Sequence, residues 1–127
     1  MEIVNNCLVL VDKTTDIVDG EFIFPDGVTS IAGYAFYECK ELKSITIPED
    51  VTTIGNYAFF GCENLITVRI DEGVKGIGHS AFSHCKNLNH VSIPESIIYI
   101  FNDAFSCCDY LDAETKEKIK NINTKAF

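Results

Sequence analysis

The chain has 127 residues, 46% of them hydrophobic, and a net charge of −9 at pH 7. That is the length of one domain, and the charge argues against nucleic acid and anionic membrane surfaces as partners. No apolar run reaches the roughly 18 residues of a membrane span.

Residues 1–21 open the chain without any repeated pattern. Ile3-Val4 and Cys7 to Val11 read as one or two strands, Asp12 to Asp16 as a turn, and Ile17-Val18 leads through Asp19-Gly20 toward Phe22. The expectation is a small hairpin that caps the open apolar end of the remaining chain. The first residues lack the basic start and small-residue cleavage site of a signal peptide. A cytoplasmic home is therefore expected if Met1 is the native start, and a cell-surface or secreted one if the chain is a fragment of a longer one.

From Phe22 the sequence repeats every 23 residues, in units 22–44, 45–67, 68–90 and 91–113. The first column is Phe22, Ile45, Val68, Val91; two residues on stand Phe24, Ile47, Ile70, Ile93. Pro25, Pro48, Asp71, Pro94 and the acids Asp26, Glu49, Glu72, Glu95 come next. Then come Val28, Val51, Val74, Ile97 and Ile31, Ile54, Ile77, Ile100. An Ala-Phe pair (Ala35-Phe36, Ala58-Phe59, Ala81-Phe82, Ala104-Phe105), a cysteine (Cys39, Cys62, Cys85, Cys108) and a leucine (Leu42, Leu65, Leu88, Leu111) complete each unit. A fixed period of this length means stacked repeats. Twenty-three residues are too few for a helix pair or a propeller blade, so each unit is one coil around a short strand. Val68 and Ile70 are two apart and share a strand face, with Arg69 turned outward. Proline ends the strand because it has no N–H for a ladder. Val51-x-x-Ile54 makes a second extended segment on the opposite wall, and Ala58-Phe59 begins a tight turn.

Residues 109–121 change period. Leu111, Thr115, Ile119 and Ile122 follow helical spacing, and Asp109 or Asp112 can cap the start. Ile119-x-x-Ile122-x-x-x-Ala126-Phe127 then repeats the spacing of Ile97-x-x-Ile100-x-x-x-Ala104-Phe105. A helix thus replaces the strand of a fifth coil, making 114–127 a C-terminal helical cap or a partial fifth repeat of one 1–127 domain.

The pattern I-P-[DE]-x-V-x-x-I-G-x-x-A-F-x-x-C-x-x-L, seen at Ile47 to Leu65, resembles the BspA-like leucine-rich-repeat family over residues 22–111. The resemblance implies a curved right-handed solenoid, mainly β with short helical turns, and often surface or adhesion roles. It brings no catalytic residues to carry over.

Two surfaces are candidates for partner binding. Tyr34, Tyr37, Tyr57 and Phe60 occupy matching columns of coils one and two, where coil three has Ser80 and Ser83, and form a candidate aromatic patch. Thr46, Thr67, Arg69, His90 and Ser92, with Glu21, Ile23 and Ser44, occupy the outward strand positions, a small and mixed face without a hot-spot cluster.

The remaining chemistry-bearing residues read as structural. One cysteine per coil reads as a buried thiol ladder, although the Cα spacing of neighbouring coils also permits disulfides. Cys107 faces outward without an activating base. The acid column forms a row rather than the convergent set calcium needs. His79, His84 and His90 match no zinc spacing. Ile98, Tyr99 and Phe101 make coil four unusually apolar and are expected to pack on the C-terminal segment. No cofactor, metal or catalytic constellation is read. The functional expectation is a non-catalytic protein–protein interaction module with an unknown protein partner, monomeric or weakly self-associating. The alternative is a purely structural or self-assembling spacer.

Overall fold

The computed structural model describes residues 1–127. In chain order the elements are β1 (Glu2–Val4), β2 (Cys7–Leu10), β3 (Glu21–Phe22), β4 (Ser30–Ile31), β5 (Ser44–Ile47), β6 (Thr53–Ile54), β7 (Thr67–Ile70), β8 (Gly76–Ile77), β9 (His90–Ser92), β10 (Tyr99–Ile100) and the helix α1 (Ala113–Ile122). The chain is a solenoid with two strand walls. The first is β3-β5-β7-β9 and the second β1-β2-β4-β6-β8-β10. All neighbours are parallel except β1 and β2. The sequence period becomes the register: Ser44 pairs with Thr67, Thr67 with His90, and Thr53 with Gly76. Ile45 and Ile47 point into the coil and Thr46 outward, as the two-residue side-chain period requires.

The turn between the walls and the leucine after it forms a third, unanticipated ladder. The amide of each column phenylalanine donates to the alanine carbonyl of the next coil: Phe36 to Ala58, Phe59 to Ala81, Phe82 to Ala104 and Phe105 to Ala126, each at 2.7 Å. The four rings are buried and stack at 4.6, 4.9 and 5.2 Å. Each coil turns this corner with two residues of positive φ. One column is Tyr34, Tyr57, Ser80 and Asp103; the other is Glu38, Gly61, His84 and Cys107.

The cysteine column stands beside the phenylalanines. All six cysteines are free. Cys62, Cys85 and Cys108 donate their Sγ–H to the carbonyls of Phe36, Phe59 and Phe82, at 3.1, 3.1 and 3.0 Å. Burial pushes Cys39 and Cys108 up to about 12 and raises Cys85 well above the usual thiol value. These thiols act as small core residues.

The two ends are finished differently. β1 and β2 form a hairpin whose second strand pairs with β4, Cys7 opposite Ser30 and Leu8 opposite Ile31. The hairpin therefore extends the second wall. At the other end, Asp112 caps α1 by accepting from the Thr115 amide at 2.8 Å. Thr115 is fully buried, and its hydroxyl lies 3.2 Å from the Val91 amide and 3.4 Å from the Val91 carbonyl. One side chain thus does for β9 what a further strand would. Beyond the helix, the carbonyls of Lys125 and Ala126 rejoin the third ladder.

Tyr99 and Phe101, expected to pack on the C-terminal segment, make their ring contacts with coil three and with each other. The Tyr99 ring lies where a Cβ on Gly76 would sit. Phe101 stacks on His79 at 4.6 Å and touches Tyr99 at 4.7 Å, while Ile98 stays exposed. Gly76 lacks the side chain that Ser30 and Thr53 carry at the same wall position, and the ring of coil four fills that space.

Candidate functional site

The third ladder positions the aromatic wall. Tyr34 and Tyr57 stand in the first positive-φ column, three residues before Tyr37 and Phe60. Coil pitch stacks them in two rows: Tyr34 on Tyr57 at 5.1 Å with the planes 6° apart, and Tyr37 on Phe60 at 5.4 Å and 14°. Across the rows, Tyr34 meets Tyr37 at 5.4 Å and Tyr57 meets Phe60 at 5.7 Å. Tyr34 is 54% exposed and Tyr37 38%; Tyr57 and Phe60 are half-buried. The four candidate rings form one surface.

His84 extends that surface into coil three, its ring 5.0 Å from Phe60. Column matching misses it because the tyrosine columns lead to Ser80 and Ser83. The available signal is the neighbouring column Glu38, Gly61, His84, in which His84 is the sole ring. His79 and Phe101 form a second, separate stack, outside both candidate surfaces.

The strand face of the first wall forms an open groove of about 510 Å³, lined by Glu21, Ile23, Ser44, Thr46, Thr67, Arg69, His90 and Ser92 among others. Several polar groups there are already engaged within the chain. Arg69 is 3.0 Å from Asp71, the Ser44 hydroxyl donates to Glu21 at 3.2 Å, and Ser92 donates to the Val68 carbonyl at 3.4 Å. His90 Nδ1 is 2.7 Å from Asp112 Oδ2, which ties a groove residue to the C-terminal cap. The Thr115 hydrogen bonds, and then that of His90, hold the Asp112 carboxyl down at about 2. Thr46 and Thr67 remain exposed.

The acid column has a local role in one coil. Glu72 accepts from the backbone amides of Glu95 and Ser96, both at 3.2 Å, and so caps the next coil's turn. No helix is long and apolar enough to cross a membrane.

Parallel short strands, inward aliphatics and a buried cysteine column at a constant period define a leucine-rich-repeat solenoid. The family model described as BspA type leucine rich repeat region matches residues 18–127 in six copies, and the chain belongs to that family. Such repeat families are generally protein-interaction modules and generally non-enzymatic. Among solved structures it is similar to a leucine-rich-repeat protein of T. pallidum, with 29% identity and a TM-score of 0.76, covering 87% of this chain and 54% of that one. A leucine-rich repeat protein from Bacteroides capillosus matches with 26% identity and a TM-score of 0.71, covering 88% of this chain and 92% of that one. A leucine rich cell surface protein from Faecalibacterium prausnitzii matches with 28% identity and a TM-score of 0.53, covering 81% and 34%. The chain thus spans about half the length of the T. pallidum protein. No match was found among curated proteins.

Proposed function

We propose that this chain is a non-catalytic protein-interaction module whose docking surface is the wall of Tyr34, Tyr37, Tyr57 and Phe60. The observation that carries the reading is the stacking of exposed Tyr34 and Tyr37 on half-buried Tyr57 and Phe60, at 5.1 and 5.4 Å. The backbone ladder fixes these rings in advance, so a partner ordering them loses little side-chain entropy. Tyrosine is also a preferred anchor of protein interfaces. The net charge of −9 favours a neutral or basic contact surface on the partner.

The test compares three baits: the wild type, Tyr34→Glu/Tyr57→Glu and Thr46→Glu/Thr67→Glu. Proteins crosslinked from the source cells are quantified by mass spectrometry. A partner held by the wall drops about tenfold or more with the tyrosine variant, the loss of at least one anchor, and persists with the threonine variant. The reverse pattern would move the site to the strand groove.

The second reading is a structural or self-assembling spacer. It is supported by the groove, where Arg69, Ser44 and His90 are engaged within the chain. A bait that enriches nothing in any form favours it. We read the compartment as intracellular, supported by buried thiols engaged as S–H donors. A surface, adhesion-related role is the alternative, supported by the description of the F. prausnitzii neighbour. Alkylation of native material before and after reduction separates the two: six free thiols favour the first, reducible pairs between coils the second.

A further inference from the structure

β1 ends the six-stranded wall, and its outer edge carries no strand. Val4 and Cys7 flank the two-residue turn Asn5-Asn6, whose φ values are 49° and 63°. This is the hairpin turn with two left-handed residues, and its flanking pair exchanges both hydrogen bonds. Strand alternation then turns the N–H and C=O of Ile3 away from β2 and toward the open side. Two of the three side chains on the edge strand are apolar and uncovered: Ile3 is 39% exposed and Val4 49%. Ile3 and Leu10 stand in register with Leu8 and Glu2 on the two strands. An open backbone pair flanked by apolar side chains is a template for another strand. The opposite end of the molecule offers no equivalent, because Thr115 and Asn123 engage the backbone of β9 and β10.

The edge is self-complementary. An antiparallel second copy, placed on a two-fold axis at Ile3, exchanges two hydrogen bonds between the two Ile3 residues. The same register sets Val4 of each copy opposite Glu2 of the other, so the two carboxylates lie at opposite ends and no like charges face each other. We propose that two copies of this chain dimerise through β1, joining two six-stranded walls into one continuous sheet. Each copy carries −9, so the copies repel at long range and added salt strengthens the dimer. A dimer held by ion pairs would weaken instead.

Sedimentation velocity tests this on the 127-residue chain from about 10 µM to about 1 mM, in about 0.05 M and about 0.5 M salt. The expected result is a shift from one-copy to two-copy mass, reached at lower concentration in the higher salt. Ile3→Pro removes the outward N–H without touching a bond to β2; Ile3→Lys keeps the backbone and places a charge on the edge. Both variants are expected to stay at one-copy mass, with unchanged thermal melts showing that they fold. In the wild type, exchange of the Ile3 amide slows as concentration rises. Three results would overturn the proposal: one-copy mass throughout, a dimer that survives both variants, or a continuing series of larger species.

Discussion

Two aromatic ladders run side by side through the same corner of this solenoid. One is Phe36, Phe59, Phe82 and Phe105, buried and stacked at 4.6–5.2 Å. The other is Tyr34 on Tyr57 and Tyr37 on Phe60, at 5.1 and 5.4 Å, with Tyr34 and Tyr37 exposed. The spacings are nearly the same, because coil pitch rather than ring attraction sets them. What differs is water. The inner ladder removes apolar area from solvent and stabilises the fold; the outer ladder leaves its area available to a partner.

The sharpest way to break that comparison is Phe82→Ala in the inner ladder. It should cost about 3–5 kcal/mol in denaturant melts, from lost burial and a cavity. A cost under about 1 kcal/mol would mean that the inner ladder does not hold the coils together.

Thr115→Val comes next and asks whether the end of the stack matters as much as its middle. It keeps the shape but leaves the Val91 amide and carbonyl without their partner, at about 1–3 kcal/mol. A neutral result would mean that water serves that edge equally well. The same cap has a pH signature. The Asp112 carboxyl is held below its ordinary value of 3.8, at about 2, chiefly by Thr115 and then by His90. A depressed carboxyl stabilises the fold fully above its unfolded value and loses that contribution as pH falls through the folded one. Melting temperature should therefore fall between about pH 4 and pH 2, and less steeply in Asp112→Asn.

In the outer ladder, Tyr57→Ala should cost about 0.5–1.5 kcal/mol for the lost stacking and about 1 kcal/mol for the lost half-burial, less than the inner ladder loses. A loss matching that of Phe82→Ala would erase the distinction between the ladders. The smallest effect expected lies between neutral and a slight gain. Ser80 holds φ at 53° in the column that Tyr57 shares. Ser80→Gly relieves left-handed strain of about 1 kcal/mol against an entropic cost of about 0.5–1 kcal/mol. The expected outcome is a melting temperature unchanged or slightly raised.

The inner ladder is legible in the sequence because burial imposes identity: Phe, Ala, Cys and Leu recur in register without exception. The wall of Tyr34, Tyr37, Tyr57 and Phe60 is legible as matching columns, but its fifth ring is not. His84 reaches Phe60 from the adjacent column because its backbone is left-handed. Of that column only Gly61 advertises the conformation; Glu38 and His84 adopt it where their amides donate to the next coil, to the carbonyls of Phe60 and Ser106. Tyr99 misleads for a related reason. Its polar-to-aromatic change is visible, but the answering feature, Gly76, is a missing side chain one coil away. The helix over Thr115 and Ile119 is announced by its period, whereas the hydroxyl's service to Val91 depends on how the helix crosses the sheet edge.

The cysteine column gives the protein a built-in probe of its own opening. One buried column thiol sits in each coil, and in three coils the Sγ–H is held against the preceding coil's carbonyl. An alkylating reagent reacts with the thiolate, so Cys85 and Cys108 react only when their own coils separate. Measured coil by coil, the labelling rates rank local stability along the stack. They would show whether the solenoid frays from an end or opens as one unit, with no probe added to the chain.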